Sequence, residues 1–447
     1  MKKRNVHIIS LGCPKNLVDS EVMAALLAKS GYSITTQVDD ANIILVNTCA
    51  FITPAKEESI DEILRAAEWK RSREGVRLVV TGCLPQRYGR DLEKELPEVD
   101  LFLGVGETGN IARHLDSLSL AERKKLKTIS AKPSFLMNAK TPRLLSTPQH
   151  TAYLKIAEGC SNRCSYCIIP VIRGKARSRG MADIVAEART LAEKGTRELI
   201  ITAQDTTAYG RDMKGKPNLA LLLEKLSAIT GIHWIRLLYA HPAGLSHELL
   251  DTIATRDNIC KYIDVPIQHV DTEILKSMNR LWSSGRYRKT IEKTRECIPG
   301  VALRTSIIVG FPGETRAKFA RLISFIREMR FDHLGVFTYS REEGTRAASF
   351  PSRISEKEKD ARMQFIMEEQ AVISYQINQS LIGSIHEILI EGKNDSLAYP
   401  YVGRCERQAP EIDGITYVKG RNLAIGSFVR CKITASTEYD LYAKELS

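Results

Sequence analysis

No stretch of this sequence is long and apolar enough to cross a bilayer as a helix; runs such as Ile43–Val46 and Ile307–Val309 are strand-sized. A secretory leader is not expected either. Met1-Lys2-Lys3-Arg4 passes into a short apolar run broken by Gly12, Cys13 and Pro14, which points to the cytoplasm. There is no internal repeat and no low-complexity tract. With 43% hydrophobic and 26% charged residues, a disordered chain, a collagen and a coiled-coil rod are all excluded. In a reducing compartment the ten cysteines are expected to serve metal or catalysis rather than disulfides.

What is present is a chain of 447 residues, enough for two to four domains and for large apolar cores. The net charge is +12, which suggests an anionic partner, but it is unevenly spread. Residues 383–447 hold 8 Lys and Arg against 9 Asp and Glu, a net of −1, so the remainder carries +13.

Three regimes follow one another. From Asn5 to about Asp116, apolar runs (Val6–Ile9, Ile43–Val46, Arg77–Val80, Val99–Leu103) alternate with helical patterns at Asp19–Ser30 and Ser59–Arg73. That alternation predicts a parallel α/β sheet. Residues 132–150 hold three prolines and little periodicity and read as a linker. From 151 to about 380, strands are predicted at Ala152–Ala157, Glu198–Thr202, Trp234–Leu238, Tyr262–Pro266, Ala302–Val309 and His333–Thr338. Helices between them, such as Ala182–Lys194 and Leu219–Ile229, make an open or partial α/β barrel, left by a charged helix from about Ser355 to Gln379. From 381 onward, short runs at Ile385–Ile390, Val402–Arg404, Ile415–Val418, Phe428–Ile433 and Asp440–Ala443 predict a small β-barrel.

The cysteines carry the chemistry. Cys160, Cys164 and Cys167 form C-x-x-x-C-x-x-C directly after a predicted strand. A closed zinc site wants four ligands, and no fourth cysteine or histidine follows at zinc spacing. A cubane iron–sulfur cluster also usually takes four cysteines, so three leave one iron open to a substrate. A zinc knuckle completed by a distant ligand is the plainer alternative. Cys13, Cys49 and Cys83 lie far apart in sequence, yet each follows an apolar strand. In a parallel sheet the carboxyl ends of the strands share one edge, so these thiols are expected to meet and to hold a second cluster. Glycine precedes Cys13 and Cys83, allowing close backbone approach.

Glu158-Gly-Cys-Ser-Asn-Arg-Cys-Ser-Tyr-Cys167 resembles the signature of the radical S-adenosylmethionine (SAM) enzymes. The resemblance implies a cluster on the three cysteines, with SAM chelating the open iron and yielding a 5′-deoxyadenosyl radical. It places Tyr166 near the adenine, a position where a simple packing residue is equally compatible. Two three-cysteine sets on a chain of this layout resemble the methylthiotransferases: a cysteine-bearing α/β domain (1–131), a linker (132–150), a radical SAM domain (151–380) and a TRAM-type barrel (381–447). Leu11-Gly-Cys-Pro-Lys-Asn-Leu-Val-Asp-Ser-Glu21, Pro266-Ile-Gln-His269, Ala409-Pro-Glu-Ile-Asp-Gly414 and Glu438-Tyr-Asp-Leu-Tyr442 resemble the RimO branch. The transfer-RNA branch (MiaB type) typically has Gln-Met-Asn where this chain has Pro14, Lys15 and Asn16. The RimO resemblance implies two [4Fe-4S] clusters and two SAM molecules. It implies methylthiolation of the β-carbon of an aspartate in small-subunit ribosomal protein twelve, free or in the assembling subunit, with an electron donor as a further partner.

Other positions are weaker. Gln204 follows a strand at the expected barrel mouth and resembles the family's glutamine near SAM, though a satisfied polar loop residue fits as well. Gly310 and Gly313 lie in a turn resembling a family motif that lines adenosine, and are equally plain turn glycines. His269, after a third strand, could face the substrate, though a lone histidine at a strand end is more often structural. Gly104-x-Gly-x-x-Gly109 is rejected as a dinucleotide fingerprint because it follows the fourth strand and no acidic residue closes a second strand. Cys260, Cys297, Cys405 and Cys431 lack cluster spacing and read as small apolar residues. Arg173, Lys175, Arg177 and Arg179 read by default as a solvated basic face, with an anionic partner as the alternative. The near-neutral tail suits a basic ribosomal protein better than RNA, whose phosphates demand a basic surface. The alternatives are a transfer-RNA adenosine methylthiotransferase and a non-catalytic iron–sulfur or zinc protein that binds RNA.

Overall fold

The fold is taken from a computed structural model, which describes residues 4–120, 126–280, 282–351 and 354–446. Among these, no helix is long and apolar enough to cross a membrane.

Strands β1 (Asn5–Ser10), β2 (Ser33–Thr35), β3 (Ile43–Thr48), β4 (Arg77–Gly82), β5 (Leu101–Leu103) and β6 (Leu126–Thr128) form one sheet in the order β2-β1-β3-β4-β5-β6. All its pairings are parallel. β3 and β4 are buried along their length, as a sheet covered on both faces requires. Helices α1 (Pro14–Lys29), α2 (Thr53–Arg71) and α3 (Cys83–Glu95) begin within a few residues of the ends of β1, β3 and β4. Proline opens α1 and lies in the first turn of α2, where its missing N–H costs nothing.

Residues 129–150 carry no helix or strand. Arg143 within them bonds Glu21 of α1 at 2.6 Å, so the segment is fastened to the first sheet's helix layer rather than loose.

A second sheet is built from β7 (Thr151–Lys155) and, after a short antiparallel ribbon of β8 (Ala157–Glu158) and β9 (Arg177–Ser178), from β10 (Glu198–Thr202), β11 (Trp234–Leu237), β12 (Ile259–Asp264), β13 (Ala302–Val309) and β14 (His333–Thr338). The order is β14-β13-β12-β11-β10-β7, all parallel. Period-two alternation sorts its residues. Ala152, Leu154, Leu199, Ile201, Ile235 and Leu237 join the core under the helices. Tyr153, Ile200, Trp234, Tyr262 and Ala302 face the inner side, where they meet Val18 and Val22 of α1 and Leu389 and Ala409 of the C-terminal barrel.

That barrel is closed: β15 (Ile385–Lys393), β16 (Tyr401–Cys405), β17 (Thr416–Lys419), β18 (Phe428–Ser436) and β19 (Leu441–Glu445) in the order β15-β16-β17-β19-β18. It docks through buried charge. Glu198 of β10, with no exposed surface, accepts from Arg236 at 2.9 Å and from Arg404 of β16 at 2.6 Å. Tyr262 donates to Asp413 at 2.7 Å, and His333 bonds the Arg407 carbonyl at 2.8 Å.

Burial alone would raise the Glu198 carboxyl, but Arg404 and Arg236 hold it at about 2. Its unfolded value is near 4.5, so its contribution to docking is complete above that pH and is lost as pH falls towards 2. Glu198→Gln leaves two buried guanidiniums underpaired and is expected to lower stability by about 3–5 kcal/mol at neutral pH. Urea denaturation, read through Trp234, whose indole meets Phe428 of the barrel edge-on at 4.8 Å, measures this.

Candidate active site

The first three cysteines stand where parallel-sheet geometry expects them. β1, β3 and β4 are neighbours, with Ser10 beside Asn47 and Asn47 beside Thr81. Cys13 caps α1, Cys49 directly follows β3, and Cys83 is the first residue of α3. The glycines are sterically required. A Cβ on Gly12 would lie 2.7 Å from the Cys49 Cβ, and one on Gly82, at φ +98°, would lie 2.6 Å from the Thr48 carbonyl oxygen. Asn16 stitches the loops together by donating to the carbonyls of Leu11 and Thr48. The Ser59 hydroxyl donates to the Cys49 carbonyl and accepts from its N–H.

These thiols feel one another. Burial, then the charges of Cys83 and Cys13, push Cys49 to about 12. Cys83 is also raised, by burial first, although Arg173 opposes the shift. Cys13 moves the other way: burial is outweighed by Lys15, Arg173 and the N–H groups at the start of α1.

The second trio lies in the loop between β8 and the short helix α4 (Ile169–Arg173). Gly159 sits at φ +77°, and a Cβ there would lie 2.4 Å from the Lys175 carbonyl oxygen. Cys160 donates its N–H to Gly174, and Cys167 to Cys164. Burial raises Cys160 to about 11, with Asp205 and Cys164 adding to it. It raises Cys167 to about 12, with Cys164 and Cys160 adding. Asn279 holds the loop from outside by donating to the Arg163 carbonyl at 2.7 Å. The thiols of each trio are near enough to oppose one another's ionisation. Among the described residues, no three Cys, His, Asp or Glu side chains are gathered tightly enough to grip a single ion.

Arg173 joins the two trios. Its guanidinium donates to Asp19 and Glu158, both at 3.0 Å, to the Asn16 side chain at 2.8 Å and to the Cys83 sulfur at 3.6 Å. Lys155 bonds the same two carboxylates, Asp19 and Glu158. Two of the four residues of the basic stretch, Arg173 and Arg179, are therefore not on a solvated face, whereas Lys175 is exposed and Arg177 half-buried. Arg173 and Arg179 are 2% and 1% exposed, and Arg179 is consumed by Asp183, Glu187 and the Lys155 carbonyl. The reading missed that Arg173 meets Asp19 on a helix distant in sequence and that Arg179 is claimed by Asp183 and Glu187 of the helix that follows it.

Gln204 donates to Glu158 at 3.0 Å, and its own oxygen is buried without a partner, an acceptor left open for an ammonium. The Tyr166 hydroxyl accepts from Arg280 at 3.2 Å, and its ring packs against the apolar cluster of Ile274, Met278, Phe311, Tyr339 and Ala347. Gly310 (φ +72°) and Gly313 (φ +87°) shape the turn after β13, where the Gly310 N–H is taken by Glu314. His269 is fully buried, with Nε2 on Glu314 and Nδ1 accepting from the Asp271 N–H, so it is structural. Sequence reading missed Asp19, Lys155 and Arg280; Asp19 at least lies on the cysteine-capped helix, six residues from Cys13. A cavity of 570 Å³ lies elsewhere, between the loops before β10 and β11 (Arg197, His233) and Ile425 and Phe428, and no cysteine lines it.

Residues 5–104 match the family model described as uncharacterized protein family UPF0004, residues 154–326 the radical SAM superfamily and residues 382–445 the TRAM domain. Among solved structures, the radical SAM methyltransferase TsrM from Kitasatospora setae, with cobalamin and a [4Fe-4S] cluster bound, superposes with a TM-score of 0.60. It is 13% identical, covering 86% of this chain and 80% of that one, a likeness of fold. Fold, motif and domain set together define a radical SAM methylthiotransferase, a class of enzyme that uses an iron–sulfur cluster and SAM. Within that class, the chain belongs to the RimO family. A protein of Syntrophus aciditrophicus named ribosomal protein uS12 methylthiotransferase RimO is 59% identical over 100% of this chain and 99% of its own length. One of the same name from Geobacter sulfurreducens is 49% identical over 100% and 99%.

The opposed shifts make a test on metal-free protein. Iodoacetamide near pH 8 is expected to label Cys13 well before Cys49 and Cys83, as read by peptide mass mapping.

Proposed function

We propose that this chain installs a methylthio group on the β-carbon of an aspartate in ribosomal protein uS12, the substrate named for its relatives. Cys13, Cys49 and Cys83 would hold one [4Fe-4S] cluster, and Cys160, Cys164 and Cys167 a second. The domains divide at 1–131, 132–150, 151–380 and 381–447. The observation that carries this reading is the placing of three cysteines at the ends of three adjacent strands, tied through Arg173 to the helix that follows the second trio. The donor set fits the groups: each trio is all sulfur, and the unpartnered Gln204 oxygen stands ready for a ligand's ammonium.

The clusters and SAM supply, when bound, a carbon radical able to take an unactivated hydrogen and a methylated sulfur to replace it. The chain's own residues orient and insulate. Glu158, anchored by Arg173 and Lys155, holds Gln204 in place. Arg280 and the apolar cluster around Phe311 hold the ring of Tyr166, beside which the adenine would lie, and the turn at Gly310 and Gly313 would line the nucleoside. Arg173 and Lys15 bring positive charge to the Cys13 side, favouring thiolate there. The barrel's net charge of −1 supports a basic protein substrate, free or in the assembling subunit, and a separate electron donor.

Cys160→Ala is expected to abolish release of 5′-deoxyadenosine. Cys13→Ala should still release it but leave uS12 unmodified, each variant retaining about half of the wild-type iron. Chromatography of the nucleoside and mass spectrometry of uS12 and of digested transfer RNA decide this. Equal loss of both activities in the two variants contradicts the division of labour, and modified transfer RNA contradicts the substrate.

A further inference from the structure

Three cations lie buried beside the amino-terminal cysteines, and two of them are neutralised. Lys155 and Arg173 share the carboxylates of Asp19 and Glu158. Lys15, 7% exposed, has no carboxylate partner among the described residues. Its ammonium stands 3.6 Å from the centre of the Tyr239 ring, and its other charged neighbours are the Cys13 thiol and the like-charged Arg173. The acid that holds Tyr239, Asp264 at the end of β12, is already engaged: it accepts the Tyr239 N–H at 3.0 Å and pairs with Arg304 at 3.1 Å.

The arrangement is held under constraint. Tyr239 closes β11 at φ +58°, a left-handed conformation that residues with a side chain rarely adopt. The Asp264 bond and the donations of Thr206 to the Tyr239 carbonyl fix it there. That turn lays the phenol against Lys15. A desolvated ammonium backed by an aromatic face and paired with no carboxylate is a receptor for one.

We propose that Lys15 receives the side-chain carboxylate of the target aspartate and makes the enzyme select an acid over the isosteric amide. This rests on the protein-substrate reading above and names how that substrate is recognised. The carboxylate carbon is bonded directly to the β-carbon that reacts. Gripping it two residues from Cys13 leaves that carbon only rotation about one bond.

The test uses the reconstituted full chain without reductant, and a uS12 peptide that the wild-type enzyme methylthiolates, made with the target Asp or with Asn. Equilibrium binding by fluorescence anisotropy is compared for wild type, Lys15→Met, which keeps the length without the charge, and Lys15→Arg, with iron content as the control for folding. Wild type is expected to favour the Asp peptide roughly 30-fold or more, as for a desolvated charge pair. Lys15→Met should bind the two peptides equally, and Lys15→Arg should keep a preference. Undiminished preference in Lys15→Met overturns the proposal. So does equal weakening of both peptides with the ratio preserved, since Lys15 would then only balance charge at Cys13. Wild type that modifies the peptide yet binds Asp and Asn alike overturns this inference alone. Wild type that modifies transfer RNA and not uS12 overturns the substrate reading with it.

Discussion

A single buried guanidinium determines how the two halves of the site meet. Arg173 grows from the helix after the second cysteine trio, yet most of its partners belong elsewhere: Asp19 and Asn16 on α1, and Cys83 at the head of α3. A buried cation with so many fixed acceptors tolerates little displacement, because each lost bond strands a desolvated charge. The two sheets are therefore held in register by electrostatics at the very place where their cysteines lie. Glu158 extends that register to Gln204, and Lys155 completes the charge balance from the first strand of the second sheet.

The same logic recurs wherever the domains touch. Glu342, on the loop after β14, is gripped by Lys56 and Arg87 of the first sheet's helices at 2.8 and 2.6 Å. Glu198 does the equivalent for the C-terminal barrel. Apolar packing builds each layer, while buried ion pairs set the angle between layers. Burial of this kind adds little net stability but is costly to misalign, which suits an enzyme whose site is built from more than one domain.

Much of this was legible in the sequence. β10, β13 and β14 lie at the predicted residues, since each is a short apolar run closed by clear turn chemistry. The gathering of Cys13, Cys49 and Cys83 followed from strand direction alone. The edge strands Ser33–Thr35 and Leu126–Thr128 were not predicted, because three residues are too few to establish a period. Helix α1 begins at Pro14, five residues before the predicted Asp19, because its first turn buries Lys15 and Asn16 and so lacks an apolar stripe. Arg173 looked solvated for a related reason: local patterning shows that a residue is charged, not which distant carboxylate will bury it.

The inner face of the second sheet carries a temporal cost. Tyr153, Trp234 and Tyr262 are covered on that side partly by Leu389 and Ala409, which the ribosome makes more than a hundred residues after the last of those aromatics. Synthesis proceeds from the amino terminus, so for many seconds the part of this aromatic face that α1 does not cover stays open in the nascent polypeptide. A truncated product is left with that part open and with Arg236 deprived of its neighbours on the barrel. Translation of this enzyme thus covers its inner face fully only once the barrel has been made, and until then the growing molecule carries the exposed apolar surface that chaperones bind.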